Sequence, residues 1–294
     1  MSNTPPAGRT SGRRGELSAF FWRYPWLRLV LLLIPPLLWM LVVYLGAIIA
    51  MLVSMFWTVD SFTENVIHRF STANLHSLVT DSLYRTVAIR TIVIALAVTA
   101  IDAVIAFPMA FYLSVVARPR LRRFLIVAVL TPLWASYLVK AYAWRTLFAP
   151  GGPFGWATGG HTPGYGKTAL VVTLAYMWLP YMVIPLYAGF ERVPRSLFEA
   201  SADLGAGTWR TVRAVILPLV FPAIAAGSIF TFSLTLGDYI AVGIVGGKTQ
   251  LIANVIADDV VLNQPLAATV ALIPLVAIVL YLLAMRRTGA LENV

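Results

Sequence analysis

Six stretches of this chain are each long and apolar enough to cross a lipid bilayer, and nothing else in it constrains the fold as strongly. A hydrocarbon core of about 30 Å takes about 20 apolar residues in helical form. Residues 29–57, 86–117, 122–148, 168–190, 215–246 and 266–285 meet that requirement. Backbone groups in lipid find no water, so each span must close its hydrogen bonds within itself, as a helix does. Composition agrees. Of 294 residues, 60% are hydrophobic and 12% charged, against roughly 25% charged in soluble domains. The expected fold class is therefore an all-α integral membrane protein with six transmembrane helices. The first run is too long, and lacks a small-residue cleavage site, for a removable signal peptide, so it reads as a retained helix. The organisation expected is a tail over 1–28, a six-span domain over 29–285 and a short tail over 286–294. The first tail, rich in Pro, Ser, Gly and Arg up to Glu16, reads as disordered.

Charge sets the expected direction. Lys and Arg outnumber Asp and Glu 22 to 12; in a membrane chain such an excess collects on cytoplasmic loops and does not call for nucleic acid. The N-terminus, the 118–123 loop, the 191–214 loop and the C-terminus hold 15 basic residues on one side, and Arg69, Arg85, Lys167 and Lys248 are the 4 on the other. That asymmetry places both termini in the cytoplasm. There is no cysteine, and His68, His76 and His161 are too scattered for a metal site. No nucleophile with a base suggests an enzyme. The run from Gly160 to Gly166-Lys167-Thr168 has five residues between its glycines, where a phosphate loop has four and a preceding strand. Prolines punctuate most spans; they fit either ordinary membrane helices or kinked helices lining a path. No internal repeat supports an inverted-repeat secondary transporter.

One connection is too organised for a linker. Between the fourth and fifth spans, Pro194 and Ser196 can open a helix, and Leu197, Ala200 and Leu204 fall at i, i+3 and i+7 to form one apolar stripe. Gly205 and Gly207 supply the expected stop, where positive φ is cheap only for glycine. Trp209 to Val215 forms a second short amphipathic segment leading into the membrane. Such a helix either lies on lipid headgroups or inserts into a groove on a cytoplasmic partner.

The stretch Glu199-Ala200-Ser201, with Gly205 four positions on and Val215-Ile216-Leu217-Pro218 after it, resembles the EAA loop of ABC-importer permeases. It departs from the pattern only in Ser201 for the second Ala and Val215 for Ile. The likeness extends to permeases of spermidine/putrescine importers through Pro132 to Leu147 (with Trp134, Tyr137, Lys140, Tyr142, Trp144 and Arg145) and through Leu236-Gly237-Asp238-Tyr239-Ile240. It implies a type I ABC-importer permease fold in a bacterial cytoplasmic membrane, with 191–217 as the coupling loop against an ATPase subunit. Glu199, Ala200, Ser201, Asp203, Gly205, Leu217 and Pro218 would carry the coupling. The resemblance also implies a second homologous permease subunit, two ATPase copies that bind ATP and Mg, an extracytoplasmic binding protein, and no cofactor on this chain. Related permeases for iron, thiamine or aminophosphonate keep the solute open.

Ionisable groups inside spans are costly and usually face a polar interior. Arg90 and Arg145, near span ends, are expected to snorkel. Asp102 and Lys140 fall at similar depth in two continuous helices, so a structural pair is favoured slightly over Asp102 as a solute ligand. Asp238 follows Gly237, where a helix break would leave a carboxylate facing a cavity. With Tyr239, and with Trp134, Tyr137, Tyr142 and Trp144 as aromatic faces, it makes a candidate path for a cationic solute.

Overall fold

A computed structural model of the chain describes residues 25–60, 63 and 65–288; the tails expected over 1–28 and 286–294 lie largely outside them. The chain divides into two units, 1–54 and 55–294. In the first, α1 (Pro25–Met40) passes through a π-helical turn (Leu41–Leu45) into α2 (Gly46–Ser54). Its large side chains, among them Leu32, Trp39 and Tyr44, stand exposed, as suits a surface meant for lipid.

The second unit opens on a two-residue antiparallel ribbon, β1 (Thr58–Val59) with β2 (Val66–Ile67), Thr58 opposite Ile67. Helix α3 (Ala73–Thr80) follows, and its Asn74 amide donates to the carbonyls of Met55 and Trp57. The long α4 (Ser82–Phe111) starts where the Asp81 carboxylate accepts the Leu83 N–H at 2.8 Å, the N-cap arrangement that satisfies an orphan donor. A π-helical turn (Tyr112–Val116) extends it. Then come α5 (Pro119–Trp134), α6 (Tyr137–Phe148), α7 (Pro153–Ala157), α8 (Lys167–Glu191), α9 (Arg195–Asp203), α10 (Thr208–Thr211), α11 (Leu217–Leu236), α12 (Ile240–Val245), α13 (Ile252–Leu262), α14 (Gln264–Val270) and α15 (Leu272–Arg287).

Among the described residues five helical stretches are long and apolar enough to span a bilayer, and α5 with α6 make a sixth if that bent pair is one span. Three expectations are corrected. The run 122–148 is not one helix: α5 and α6 meet at 96°. Pro132 removes a backbone donor, and Ala135 and Ser136 then take extended backbone, with ψ of 141° and 135°. The fifth span starts at Thr208, ahead of Val215, because α10 runs through a π-helical turn (Val212–Ile216) straight into α11. At that turn, just ahead of Pro218, the Leu217 N–H donates to the Val212 carbonyl five residues back, the local π adjustment that membrane helices use around a proline. The same span stops at Leu236, and α12 forms a separate short helix after the break.

The core is the mutual packing of α4, α8 and α11. Toward the end that holds α6 and α12, Val98, Leu170, Leu174 and Met177 are buried with Ala141 and Val242. Toward the 191–207 loop, Ala106, Ala110, Met182, Leu186 and Val220 are buried with Phe190. Hydroxyls inside the spans donate back along their own helices, as Thr99 does to the Ala95 carbonyl at 2.7 Å and Thr235 to that of Thr231 at 2.8 Å. Small residues let α8 and α11 approach closely, as is usual where helices pack in lipid. A Cβ on Gly189 would sit 2.5 Å from the Ala223 Cβ, and one on Gly227 would sit 2.6 Å from the Met182 sulfur. At the base, Arg122 of α5 pairs with Glu191 of α8 at 2.9 Å; both are partly exposed, so the pair contributes little.

Because the Gly189 contact is with a short, rigid side chain, Gly189→Val is expected to overpack this seam by about 1–3 kcal/mol. Thermal unfolding in detergent should show a lowered midpoint for Gly189→Val and little change for Gly207→Ala, whose added Cβ meets open space at ordinary negative φ.

Candidate functional site

Two places in the second unit combine organised backbone with functional side chains. The first is the corner between α8 and α11. Pro194, extended at ψ 135°, precedes α9, and α9 ends at Asp203. The Ala206 N–H donates to the Ser201 carbonyl at 3.0 Å and the Gly205 N–H to that of Ala202 at 2.8 Å, with Gly205 at φ +72°. This is the paired Schellman pattern, which satisfies the last carbonyls of a helix and needs a left-handed residue. Gly205 thus supplies the stop. Gly207 does not: its φ of −66° and ψ of 158° make it the N-cap of α10.

The apolar stripe is also corrected. Phe198 and Ser201, not Ala200 and Leu204, turn inward. Phe198 lies 6.3 Å from Phe111, which with Phe107 edges onto Phe190. Leu197 is half-buried, while Ala200, Glu199 and Asp203 are exposed. Leu204 is 88% exposed and Trp209 is 74% exposed, because both stand beside the turn, past the end of the packed helix. Ser201 is buried, its hydroxyl 2.7 Å from that of Thr211. Leu217 and Pro218 open α11 and are exposed.

The second place is a cavity of about 250 Å³ lined by Tyr137 of α6, Trp178 of α8, Ser233 and Leu234 of α11, the Gly237–Tyr239 break and Ile240. Gly237 keeps a helical φ of −89°, so the break is made by the chain leaving helix at 238–239 and not by a left-handed glycine. Asp238 is 6% exposed. Its carboxylate accepts the Tyr137 hydroxyl and, at 2.9 Å, the Ala241 N–H, which also lies 3.3 Å from the Tyr137 oxygen. The two helix breaks therefore meet: a side chain from one and the first free amides after the other share a single polar cluster. Tyr137 and Trp178 have ring centroids 6.2 Å apart, and Trp178 and Tyr181 5.9 Å. Tyr239 is half exposed at the rim.

Of the aromatic residues expected on a path, the fold brings only Tyr137 and Tyr239 to this cavity. Trp134 is 89% exposed at the α5–α6 bend and Tyr142 is exposed. Trp144 packs on Phe148 and Tyr176 at 5.5 Å and 5.2 Å. Asp102 is wholly buried, lines no part of the cavity and does not pair with Lys140: neither carboxylate oxygen has a hydrogen-bond partner among the described residues. The 96° bend takes α6 off the continuous helix on which that pairing rested. Arg90 and Arg145 do not simply snorkel. They donate to the carbonyls of Gln250 at 3.4 Å and Ile244 at 2.8 Å, and Arg145 lies over the Tyr165 ring. Sequence reasoning missed Trp178 and Ser233, which sit in unbroken apolar runs with nothing local to mark them.

An apolar helical bundle with an ordered polar corner at one end and interrupted helices around a cavity has the make-up of a membrane transport subunit. The chain belongs to the family of binding-protein-dependent transport system inner membrane components, whose pattern matches residues 102–289. It is a multi-pass protein of the cytoplasmic membrane. It is 41% identical over 95% of both chains to the inner membrane ABC transporter permease protein YdcU of Escherichia coli K12. It is 29% identical to the spermidine/putrescine transport system permease protein PotB of the same organism, over 70% of this chain and 73% of that one. Among solved structures, a bacterial ABC transporter that imports alginate matches with a TM-score of 0.63 at 18% identity, over 92% of this chain and 99% of that chain. The MetNI methionine ABC transporter matches with a TM-score of 0.56 at 19% identity, over 71% and 97%.

The cost of Gly205→Ala is backbone strain alone, since no atom lies within 4 Å of an added Cβ. It should destabilise the corner by about 1–2 kcal/mol, and Gly205→Asn by less, because asparagine tolerates the left-handed region. Protease cleavage rates within 191–207 should rank wild type, Asn, Ala in increasing order.

Proposed function

We propose that this chain is one membrane subunit of an ATP-driven importer, enclosing a solute path together with a second, homologous permease subunit. The observation that carries this reading is the corner at 195–216. A short helix is fixed inward by Phe198 and Ser201 and presents Glu199 and Asp203 outward, and the turn and helix after it present Leu204 and Trp209. A pair of apolar anchors ringed by charge suits insertion into a groove on a partner. In this reading the partner is one of two ATPase subunits, which hold ATP and Mg, while this chain transmits motion and performs no catalysis. The chain crosses six times, α5 and α6 forming one bent span, with both termini in the cytoplasm, as the 15-to-4 gathering of basic residues supports. An external binding protein delivers solute; the alginate importer has been solved in complex with its solute-bound periplasmic protein.

The solute we favour is a polyamine. The support is the likeness to PotB and a cavity with a carboxylate beside the rings of Tyr137, Trp178 and Tyr239, a combination that accommodates ammonium groups. One observation favours another small solute: both Asp238 oxygens already accept hydrogen bonds from Tyr137 and Ala241.

Two measurements test this reading. Leu204→Cys, in a chain without cysteine, should crosslink to the ATPase subunit of the assembled complex, and failure to trap it there would overturn the coupling role. Asp238→Asn should lower spermidine and putrescine uptake about tenfold or more, the scale of one charge-assisted contact, with assembly intact. Unchanged uptake would count against the polyamine assignment.

A further inference from the structure

Ser201 and Thr211 face each other across the Gly205 turn, ten residues apart in sequence. Their hydroxyl oxygens are 2.7 Å apart, and the side chains are 8% and 9% exposed. Ser201 sits on the inner side of α9, one turn beyond Phe198, and Thr211 lies on the first turn of the continuous helix that becomes α11. The Thr211 hydroxyl also lies 3.4 Å from the Gly207 carbonyl, so it can accept from Ser201 while donating along its own helix. No other side-chain hydrogen bond among the described residues ties α9 to the helix that follows. Besides this pair, the two are joined through the turn backbone, where the Gly205 and Ala206 N–H groups donate to the Ala202 and Ser201 carbonyls.

We propose that the Ser201–Thr211 hydroxyl pair is a strut that makes α9 and the fifth span turn as one body, so that force on the loop reaches the outer half of α11. The strut rests on the coupling role given above. It assigns two positioning residues, Ser201 and Thr211, distinct from those that would touch the ATPase: Phe198 attaches α9 to α4 and α8 through Phe111 and Phe190, and the hydroxyl pair ties it to the helix that becomes α11. Ser201 stands where the EAA pattern has its second alanine, and its hydroxyl has a use here because position 211 is a threonine.

The test uses the assembled permease–ATPase complex in proteoliposomes, with Ser233→Cys as the sole thiol reporting on the cavity, labelled from outside by a membrane-impermeant maleimide. Trapping the ATPase with ATP and vanadate should change the labelling rate. Ser201→Ala and Thr211→Val should each shrink that change about two- to tenfold, the worth of one hydrogen bond, while ATP hydrolysis continues. The double variant should lose no more than either single one, and Thr211→Ser, which keeps the hydroxyl, should retain the full response. A merely structural loss would lower assembly and hydrolysis together, and that result would overturn the strut. A full response in Ser201→Ala, or losses that multiply in the double variant, would also overturn it while leaving the coupling role intact. No response in the chain with Ser201 and Thr211 unaltered would overturn the coupling role itself, and the strut with it.

Discussion

Backbone groups inside a bilayer must find partners within the protein, and the way this chain meets that demand at two broken helices organises much of the rest. Leaving helix at 135–136 and again at 238–239 frees amides and carbonyls that lipid cannot satisfy, each costing several kcal/mol if left alone. The fold brings the two breaks together. Tyr137, just after the first, and Asp238, within the second, converge on the Ala241 N–H, so a side chain beside the first break helps to satisfy an amide that the second leaves free. A cavity beside such a cluster follows naturally: helices that stop short leave space, and here the space is walled by Trp178 of the unbroken α8 and by Ser233 near the end of α11. Irregular backbone at membrane depth is tolerated where it is buried in protein or lines a cavity, and the break at 238–239, which lines this cavity, meets that condition.

Around this point α4, α8 and α11 form a frame. The α8–α11 seam is tight because glycine faces alanine at 189 and 223, and methionine at 227 and 182. A frame held by backbone proximity deforms less readily than one held by long side chains, since well-packed interiors resist small changes of volume. The same two helices reach the 191–207 corner at one end and the cavity at the other. A displacement applied at the corner therefore acts on the elements that wall the cavity.

What the sequence reveals follows what local physics can encode. Apolar run length places α4 and α8, because each of those runs is an unbroken helix. Gly205 as a stop is readable because positive φ is a property of one residue. The bend at 135–136 is hidden: Leu133, Trp134 and Ala135 continue the apolar pattern, and hydropathy carries no record of ψ. The Asp102–Lys140 pairing fails for the same reason, since it assumes a straight helix through that point. The stripe at 197, 200 and 204 fails differently. Periodicity finds an apolar face but not which face meets protein, and Phe198 outweighs it by joining an aromatic cluster from α4 and α8. Trp178 is unmarked because one tryptophan among many gives no cue until the fold sets it against Tyr137.

In the proposed coupling role, the corner would combine apolar and polar contact for a physical reason. Phe198 supplies attachment, since an aromatic ring among Phe111 and Phe190 buries area in any of several orientations. Area alone leaves α9 free to rotate about its axis, because hydrophobic burial is non-directional. A hydrogen bond is directional and weakens steeply away from its preferred geometry, so Ser201 with Thr211 fixes the rotation that Phe198 leaves open. Two anchors of different kind, one turn apart on α9, turn a docked helix into a lever. The left-handed Gly205 permits the sharp reversal that brings those hydroxyls face to face.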